Sequence, residues 1–163
     1  MSTFLTLINR MVSRLSLVFA GLSIALLFIL SLSEIIARNI FGSGIDLAQE
    51  YMGYLVANAF IMGSGWTLAQ DGHIRISLLI DRFPPHLSRV FDLWASTLGL
   101  GLSIYMTHAM TDYALQSLER HETSYFPSAT ALVWPQGVLA FGFTLLCFSF
   151  LSRFIKAIQG EKA

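Results

Sequence analysis

Residues 15–33 read LSLVFAGLSIALLFILSLS and contain no charged side chain. A helix of about 20 residues is long enough to cross the hydrocarbon core of a bilayer. Three further segments are also free of charge: residues 51–70, 93–111 and 123–152. Because a backbone in lipid has to satisfy its own hydrogen bonds, each of these segments is expected to be a helix. The sequence therefore predicts an all-α integral membrane protein, a four-helix bundle with little mass outside the bilayer.

The composition agrees with this class of protein and argues against others. The chain has 163 residues, of which 55% are hydrophobic and 12% charged; an average soluble domain has about 25% charged residues. Four spans occupy nearly the whole length, so a single membrane domain covering residues 1–163 is expected, with no soluble catalytic module. Lys and Arg together number ten, as do Asp and Glu. This balance argues against nucleic-acid binding, which needs clustered positive charge.

The first residues have a pattern of their own. Between residues 1 and 14 the apolar side chains fall on one side of a helical wheel, and Arg10 and Arg14 fall on the other. This segregation predicts an amphipathic helix lying flat in the headgroup layer. The apolar run that follows is longer than the core of a signal peptide, so a retained first span is expected. The four spans are predicted at about residues 15–40, 47–70, 87–118 and 134–158.

Residues near the span ends predict where two helices begin. Asp46 is placed to cap the second span, where the helix dipole favours negative charge. Pro135 is expected in the first turn of the fourth span.

The positive residues predict the orientation in the membrane. Most of them lie at the N-terminus, in the middle connection or at the C-terminus: Arg10, Arg14, Arg75, Arg82, Arg89, Arg153, Lys156 and Lys162. The other two connections contain only Arg38 and Arg120. Since cytoplasmic segments carry the excess of Lys and Arg, both termini and the middle connection are expected in the cytoplasm.

The residues do not favour catalysis or a bound cofactor. Only His108 lies within a predicted span, as a hydrogen-bonded packing residue or one near a helix end, so a membrane haem site is not expected. Cys147 is the only cysteine, which excludes chemistry based on a cysteine pair. No HExxH, GxSxG or phosphate-binding glycine loop is present. We therefore predict no catalytic residue, no cofactor-binding residue and no metal ligand.

The ionisable residues near the span ends are the candidates for a functional role. Glu34 and Arg38 have the spacing of an intrahelical ion pair. Asp46 and Glu50 are both acidic, so each needs a positive partner, for which Arg38 across the short turn is the candidate. Such pairs could hold spans one and two together or contact another membrane subunit; a substrate path is less favoured because none of them lies at the midplane.

Uncharged residues within the spans predict helix contacts. Asn58 is the strongest polar group near a span midpoint, and an interhelical hydrogen bond is expected for it. Small residues also recur at the spacing of close helix packing: Ala59 with Gly63, and Gly99 with Ser103.

Several motifs follow one another in an order typical of one family of membrane proteins. They are Arg38 with Phe41-Gly42, DLAQEY at residues 46–51, Gly63, DGHIRI at residues 71–76, DRFP at residues 81–84 and TALVWP at residues 130–135. In these motifs the chain resembles the small membrane subunit of tripartite ATP-independent periplasmic (TRAP) transporters, the DctQ-like family. The likeness covers nearly the whole chain, and the run around His73 and Arg75 is its most specific part. Gln49 and Ser77 stand where the family usually has acids, and no role is assigned to them.

The resemblance implies a non-catalytic subunit of a secondary transporter in the bacterial inner membrane. Its partners would be a large membrane subunit, which carries the sodium and substrate sites, and a periplasmic binding protein, which delivers an organic acid. The small subunit would extend the stationary scaffold and would need no cofactor of its own. The residues expected at the subunit interface or in structural contacts are Glu34, Arg38, Asp46, Glu50, His73 and Arg75.

Two other functions remain as alternatives. A small homo-oligomeric carrier or channel would need an ionisable group near a span midpoint, and the spans lack one. A membrane redox subunit is disfavoured by the histidine and cysteine content.

Overall fold

The computed structural model describes residues 3–70 and 85–159, and these residues form four helices. The helices are α1 (Thr3–Ile36), α2 (Ala48–Ala69), α3 (Pro85–Glu119) and α4 (Val133–Gln159). The described residues contain no strand, only an isolated antiparallel bridge between Thr123 and Ala131. The predicted all-α fold is therefore confirmed, and each helix coincides with a predicted segment to within a few residues at most ends.

The helices pack in an open arrangement. Of the described helices, α1 packs mainly against α2, and α2 also packs against α4. α4 contacts the other three helices, whereas α3 packs extensively against α4 alone. One broad face of α3 is consequently left without a partner in the described part of the chain.

The burial pattern is the reverse of that in a soluble protein. Large apolar side chains such as Val18, Phe28 and Leu98 are exposed, while Ser16 and Ser149 are almost completely buried. Exposed apolar surface of this extent is unfavourable in water but costs nothing in hydrocarbon. The arrangement is therefore that of helices whose outer surfaces face lipid.

Two helices satisfy the length and hydropathy expected of a membrane span by themselves. They are the segments Leu7–Phe41 and Val133–Ile158. Among the described residues, α2 and α3 are less apolar than these two. That all four helices cross the bilayer stays a prediction.

Glycines allow the helices to approach closely at three points. A Cβ atom at Gly65 would lie 3.1 Å from Ser16 Oγ of α1, and one at Gly142 would lie 2.9 Å from Ile61 Cγ2 of α2. At Gly99 it would overlap the Phe150 ring of α4. The prediction of close packing is thus confirmed at Gly99. At Gly63 it is wrong, since a Cβ atom there meets nothing within 4 Å.

α1 joins two segments that the sequence analysis separates. It continues without a break through residues 14 and 15. Val12 and Ser13 are buried in the bundle, and Ile8 packs against the same apolar cluster as Val12. Extending an existing helix costs far less than starting another, which favours one continuous element. A position in the headgroup layer for the first turns stays a prediction.

The two predicted helix starts have different outcomes. Pro135 lies in the first turn of α4, as predicted. The predicted cap at Asp46 is wrong, because the cap residue of α2 is Leu47 and no side chain caps the helix. Instead the Ala48 N–H donates to the Ile45 carbonyl at 2.9 Å, while Asp46 is exposed.

Substitution of Gly99 tests the α3–α4 contact. The change Gly99→Val inserts a side chain into the Phe150 ring, and overpacking of this kind costs about 1–3 kcal/mol. We expect a lower midpoint of thermal unfolding for the purified protein in detergent. Gly101→Val is the matched control, since a Cβ atom at Gly101 meets nothing within 4 Å. Equal midpoints for the two variants would contradict the contact.

Candidate functional site

Polar side chains converge at the end of the bundle where α1 ends and α2 begins. Glu34, in the last turn of α1, is buried and accepts a hydrogen bond from Arg38 Nε at 2.5 Å. Its other carboxylate oxygen accepts from the Ile45 N–H at 2.6 Å. The ion pair predicted from the i, i+4 spacing is therefore present. Glu34 also joins the end of α1 to the turn before α2.

The backbone between the two helices is shaped to reach Glu34. α1 continues into a π-helical turn, Ala37–Phe41, which ends at Gly42 with φ +70°. This left-handed conformation suits glycine, which has no Cβ atom to strain it. A Cβ atom at Gly44 would lie 2.6 Å from Glu34 Oε1 and 3.1 Å from Arg38 Nε. Any larger residue at position 44 would consequently have to displace the side chains of Glu34 and Arg38.

Glu50 holds the connection between α3 and α4 against the first turn of α2. Its buried carboxylate accepts hydrogen bonds from Tyr54 Oη at 2.7 Å and from Ser128 Oγ. Thr130 Oγ1 lies 3.2 Å from Ser128 Oγ and 3.3 Å from Tyr51 Oη. We call Glu34, Arg38, Glu50, Tyr54 and Ser128 the helix-end cluster. It consists of two groups at this end of the bundle, one at the connection between α1 and α2 and one at the connection between α3 and α4.

The charge partners predicted for the acidic residues differ from those observed. Arg38 pairs with Glu34 and not with Asp46 or Glu50 in the described part of the chain. Glu50 has hydroxyl partners instead of a cation, because the connection between α3 and α4 brings Ser128 over it. The arginine side chain is 67% exposed. Ser128 and Tyr54 were not singled out from the sequence, since serine and tyrosine give no charge signal.

A second polar link lies between α1 and α2 within the bundle. Asn58 Nδ2 donates to Ser23 Oγ at 2.6 Å, and Ser23 Oγ donates to the Phe19 carbonyl at 2.8 Å. The interhelical hydrogen bond predicted for Asn58 is confirmed. Its Oδ1 atom has no partner among the residues that the structure describes, and the residue lines a largely apolar cavity of about 260 Å³ between Tyr51 and Trp134.

The opposite end of the bundle has an ion pair that the sequence analysis missed. Arg153 Nη2 of α4 lies 3.5 Å from Asp92 Oδ1 of α3, and both side chains are mostly buried. A sequence signal was available. Asp92 directly precedes one charge-free segment and Arg153 directly follows another, so both mark the same level of the bundle.

The structure does not support the prediction that His108 is a packing residue. Its Nδ1 atom lies 2.7 Å from Asp112 Oδ2, one turn along α3, but its side chain is 78% exposed. His108 is therefore paired with a carboxylate of its own helix, while the packing is not present.

The described residues do not assemble a reactive centre. Among them, no three His, Cys, Asp or Glu side chains are close enough to hold a metal ion. The carboxylates of the helix-end cluster are occupied by donors from their own chain. The predicted site residues His73 and Arg75 lie outside the described residues. The site is consequently one of structural contacts.

The comparisons with known proteins agree with this reading. The family model described as tripartite ATP-independent periplasmic transporters, DctQ component, matches residues 27–160. The chain belongs to the DctQ family. No curated protein and no solved structure matches it. Membership makes the chain the small permease component of a TRAP transporter, a membrane protein and not an enzyme. The matched range contains the whole helix-end cluster, so these contacts lie within the DctQ region.

The role of Glu50 can be tested through the connection that it holds. Removing its carboxylate with Glu50→Ala leaves Ser128 and Tyr54 without their acceptor. We expect amide hydrogen exchange in residues 122–132 to become about tenfold faster, since a hydrogen bond to a charged group contributes about that factor or more. Asp46→Ala is the control, because this exposed side chain makes no such contact. An unchanged rate of hydrogen exchange after Glu50→Ala would show that Glu50 does not hold the connection between α3 and α4.

Proposed function

We propose that this DctQ subunit is a non-catalytic scaffold in a sodium-driven TRAP transporter. In this proposal it binds the large membrane subunit, which moves sodium and an organic acid. A periplasmic protein delivers the acid to that assembly. The chain itself needs no cofactor, and sodium binds in the partner subunit.

The observation that carries the proposal is the state of the polar groups inside the bundle. The buried hydroxyls of Ser23, Ser103 and Ser149 donate to carbonyls of their own helices. The one strongly polar residue in the middle, Asn58, bonds to Ser23.

A path for an organic anion needs positive or donor groups at membrane depth that are free to bind it. Ser16 Oγ and Ser96 Oγ have no partner among the described residues. No buried cation lies near the middle of the described bundle, however: of its buried charged residues, Glu34 and Glu50 lie at one end and Arg153 lies towards the other.

The proposal places both termini in the cytoplasm of a multi-pass protein in the bacterial inner membrane. The distribution of Lys and Arg supports this orientation. It also places the helix-end cluster on the periplasmic side, where a binding protein docks. The connection between α3 and α4 would then be reachable from the periplasm.

Labelling of single cysteines tests the orientation. In a Cys147→Ala background we expect Tyr125→Cys, at a fully exposed position, to react in intact spheroplasts with a membrane-impermeant maleimide. Ala163→Cys should react only after lysis. Reaction of the C-terminal cysteine in intact spheroplasts would overturn the proposed orientation.

Reconstitution tests the function. Proteoliposomes containing this chain, the large membrane subunit and the periplasmic binding protein are expected to take up a radiolabelled organic acid under an inward sodium gradient. Omitting this chain should reduce uptake to background, and this chain alone should give none. Sodium-driven uptake by the chain alone would instead support the alternative, a homo-oligomeric carrier.

A further inference from the structure

One face of α3 combines exposed apolar residues with an exposed polar pair. Its members follow one another at alternating spacings of four and three residues: Trp94, Leu98, Gly101, Tyr105, His108 and Asp112. We call this the α3 stripe. All six positions point away from the α3 residues that pack against α4, and most are strongly exposed. A repeat of 3.5 residues is the pattern by which one helix packs along another.

If α3 is the predicted third span, His108 of the polar pair lies within the hydrocarbon. The charge-free segment of α3, residues 93–111, has its midpoint at residue 102. With a rise of 1.5 Å per residue, His108 lies about 9 Å from that level, inside a half-thickness of about 15 Å. By the same measure Asp112 lies about 15 Å from that level, at the edge of the hydrocarbon. His108 Nδ1 lies 2.7 Å from Asp112 Oδ2, and the described residues offer Nε2 no partner. An imidazole exposed at the depth of His108 requires another polar group, which acyl chains do not supply.

Gly101 gives the stripe room for a second helix. A Cβ atom there would meet nothing within 4 Å, so this glycine serves no contact within the described chain. In α3 the other glycine, Gly99, is needed against Phe150. Small residues on an outer helix face allow a partner backbone to approach closely.

We propose that the α3 stripe is the docking surface for a transmembrane helix of the large membrane subunit. This assignment rests on the proposed function, because it names the surface through which this chain binds the large membrane subunit. The partner helix contacts Leu98, Gly101 and Tyr105 and presents a hydrogen-bond donor or a cation to His108 and Asp112. A second copy of this chain fits less well: two-fold packing of parallel α3 helices brings like positions together, which places Asp112 opposite Asp112.

Steric blockade provides the test. The complex is purified from native membranes through a tag on this chain, and the co-purified large subunit is quantified. Gly101→Phe is expected to reduce its recovery at least tenfold. Gly21→Phe is the matched control: it is an exposed α1 glycine with nothing within 4 Å of its Cβ position, and recovery should stay within twofold of wild type. The two variants should melt at the same temperature when isolated.

The outcomes separate this inference from the proposed function. If the unsubstituted chain recovers no large subunit, the proposed function fails. If it does, and Gly101→Phe recovers as much as Gly21→Phe, only the assignment of the surface is overturned.

Cross-linking identifies the occupant directly. Benzoylphenylalanine at Leu98 or Tyr105 should form an adduct with the large subunit on irradiation, and the same residue at exposed Phe28 of α1 should not. An adduct of two copies of this chain, or an adduct with the large subunit from Phe28 alone, would contradict the proposal.

The polar pair is tested separately. His108→Leu combined with Asp112→Leu should weaken the complex about threefold to tenfold, the usual range for polar contacts between membrane helices. Arg120→Leu, just beyond α3, is the control. Undiminished recovery with the double variant would exclude the pair from the interface.

Discussion

Helices in hydrocarbon gain little from burying leucine, because acyl chains are as apolar as the side chain. Their association therefore depends on close contact, and this chain achieves it with residues that occupy little space. Gly65 lies against Ser16, Gly142 against Ile61, and Gly99 against Phe150. Ser23, Ser103 and Ser149 each donate to a carbonyl of their own helix, so the hydroxyls of these small side chains are enclosed without needing an acceptor from another helix. The same constraint explains why the largest apolar side chains remain outside.

Close packing fixes the helices along their length, and the helix-end cluster fixes the connections between them. Glu34 and Glu50 are buried carboxylates: Glu34 ties the connection between α1 and α2 to α1, and Glu50 ties the connection between α3 and α4 to α2. An enclosed charge without hydrogen bonds would be strongly unfavourable, so each is stable only while its connection keeps its shape. Ala129, with φ +44°, adopts the left-handed region beside Ser128, a conformation that the bonds to Glu50 and Thr130 help to retain. The conformation of both connections at this end consequently depends on the two carboxylates.

The parts of the fold that could be predicted are those encoded by local pattern. Charge-free runs locate the helices, the i, i+4 spacing locates the Glu34–Arg38 pair, and Asn58 is recognisable as a polar group among apolar ones. Contacts between segments distant in sequence could not be predicted in this way. Ser128 is separated from Glu50 by most of two helices, and nothing in either residue indicates the other. At Asp46, tertiary structure overrides the local preference of aspartate for a helix cap. The turn before α2 is held against Glu34, and in that turn the Ile45 carbonyl accepts the hydrogen bond from the Ala48 N–H where a side-chain cap was expected.

Whether the polar side chains face the interior of the bundle or its outer surface helps to distinguish a carrier from a scaffold subunit. In a carrier, groups free to bind a solute face an internal path, and the outer surface meets lipid. Here the described interior has no cation near its middle, whereas an imidazole and a carboxylate on α3 lie exposed on the outside. α3 is also the helix with the fewest neighbours in the described chain. A polar pair persists on a membrane surface only if something compensates its desolvation. The docking proposed for the α3 stripe would supply that compensation, and a surface of this kind is a property that a scaffold requires and a self-sufficient carrier does not.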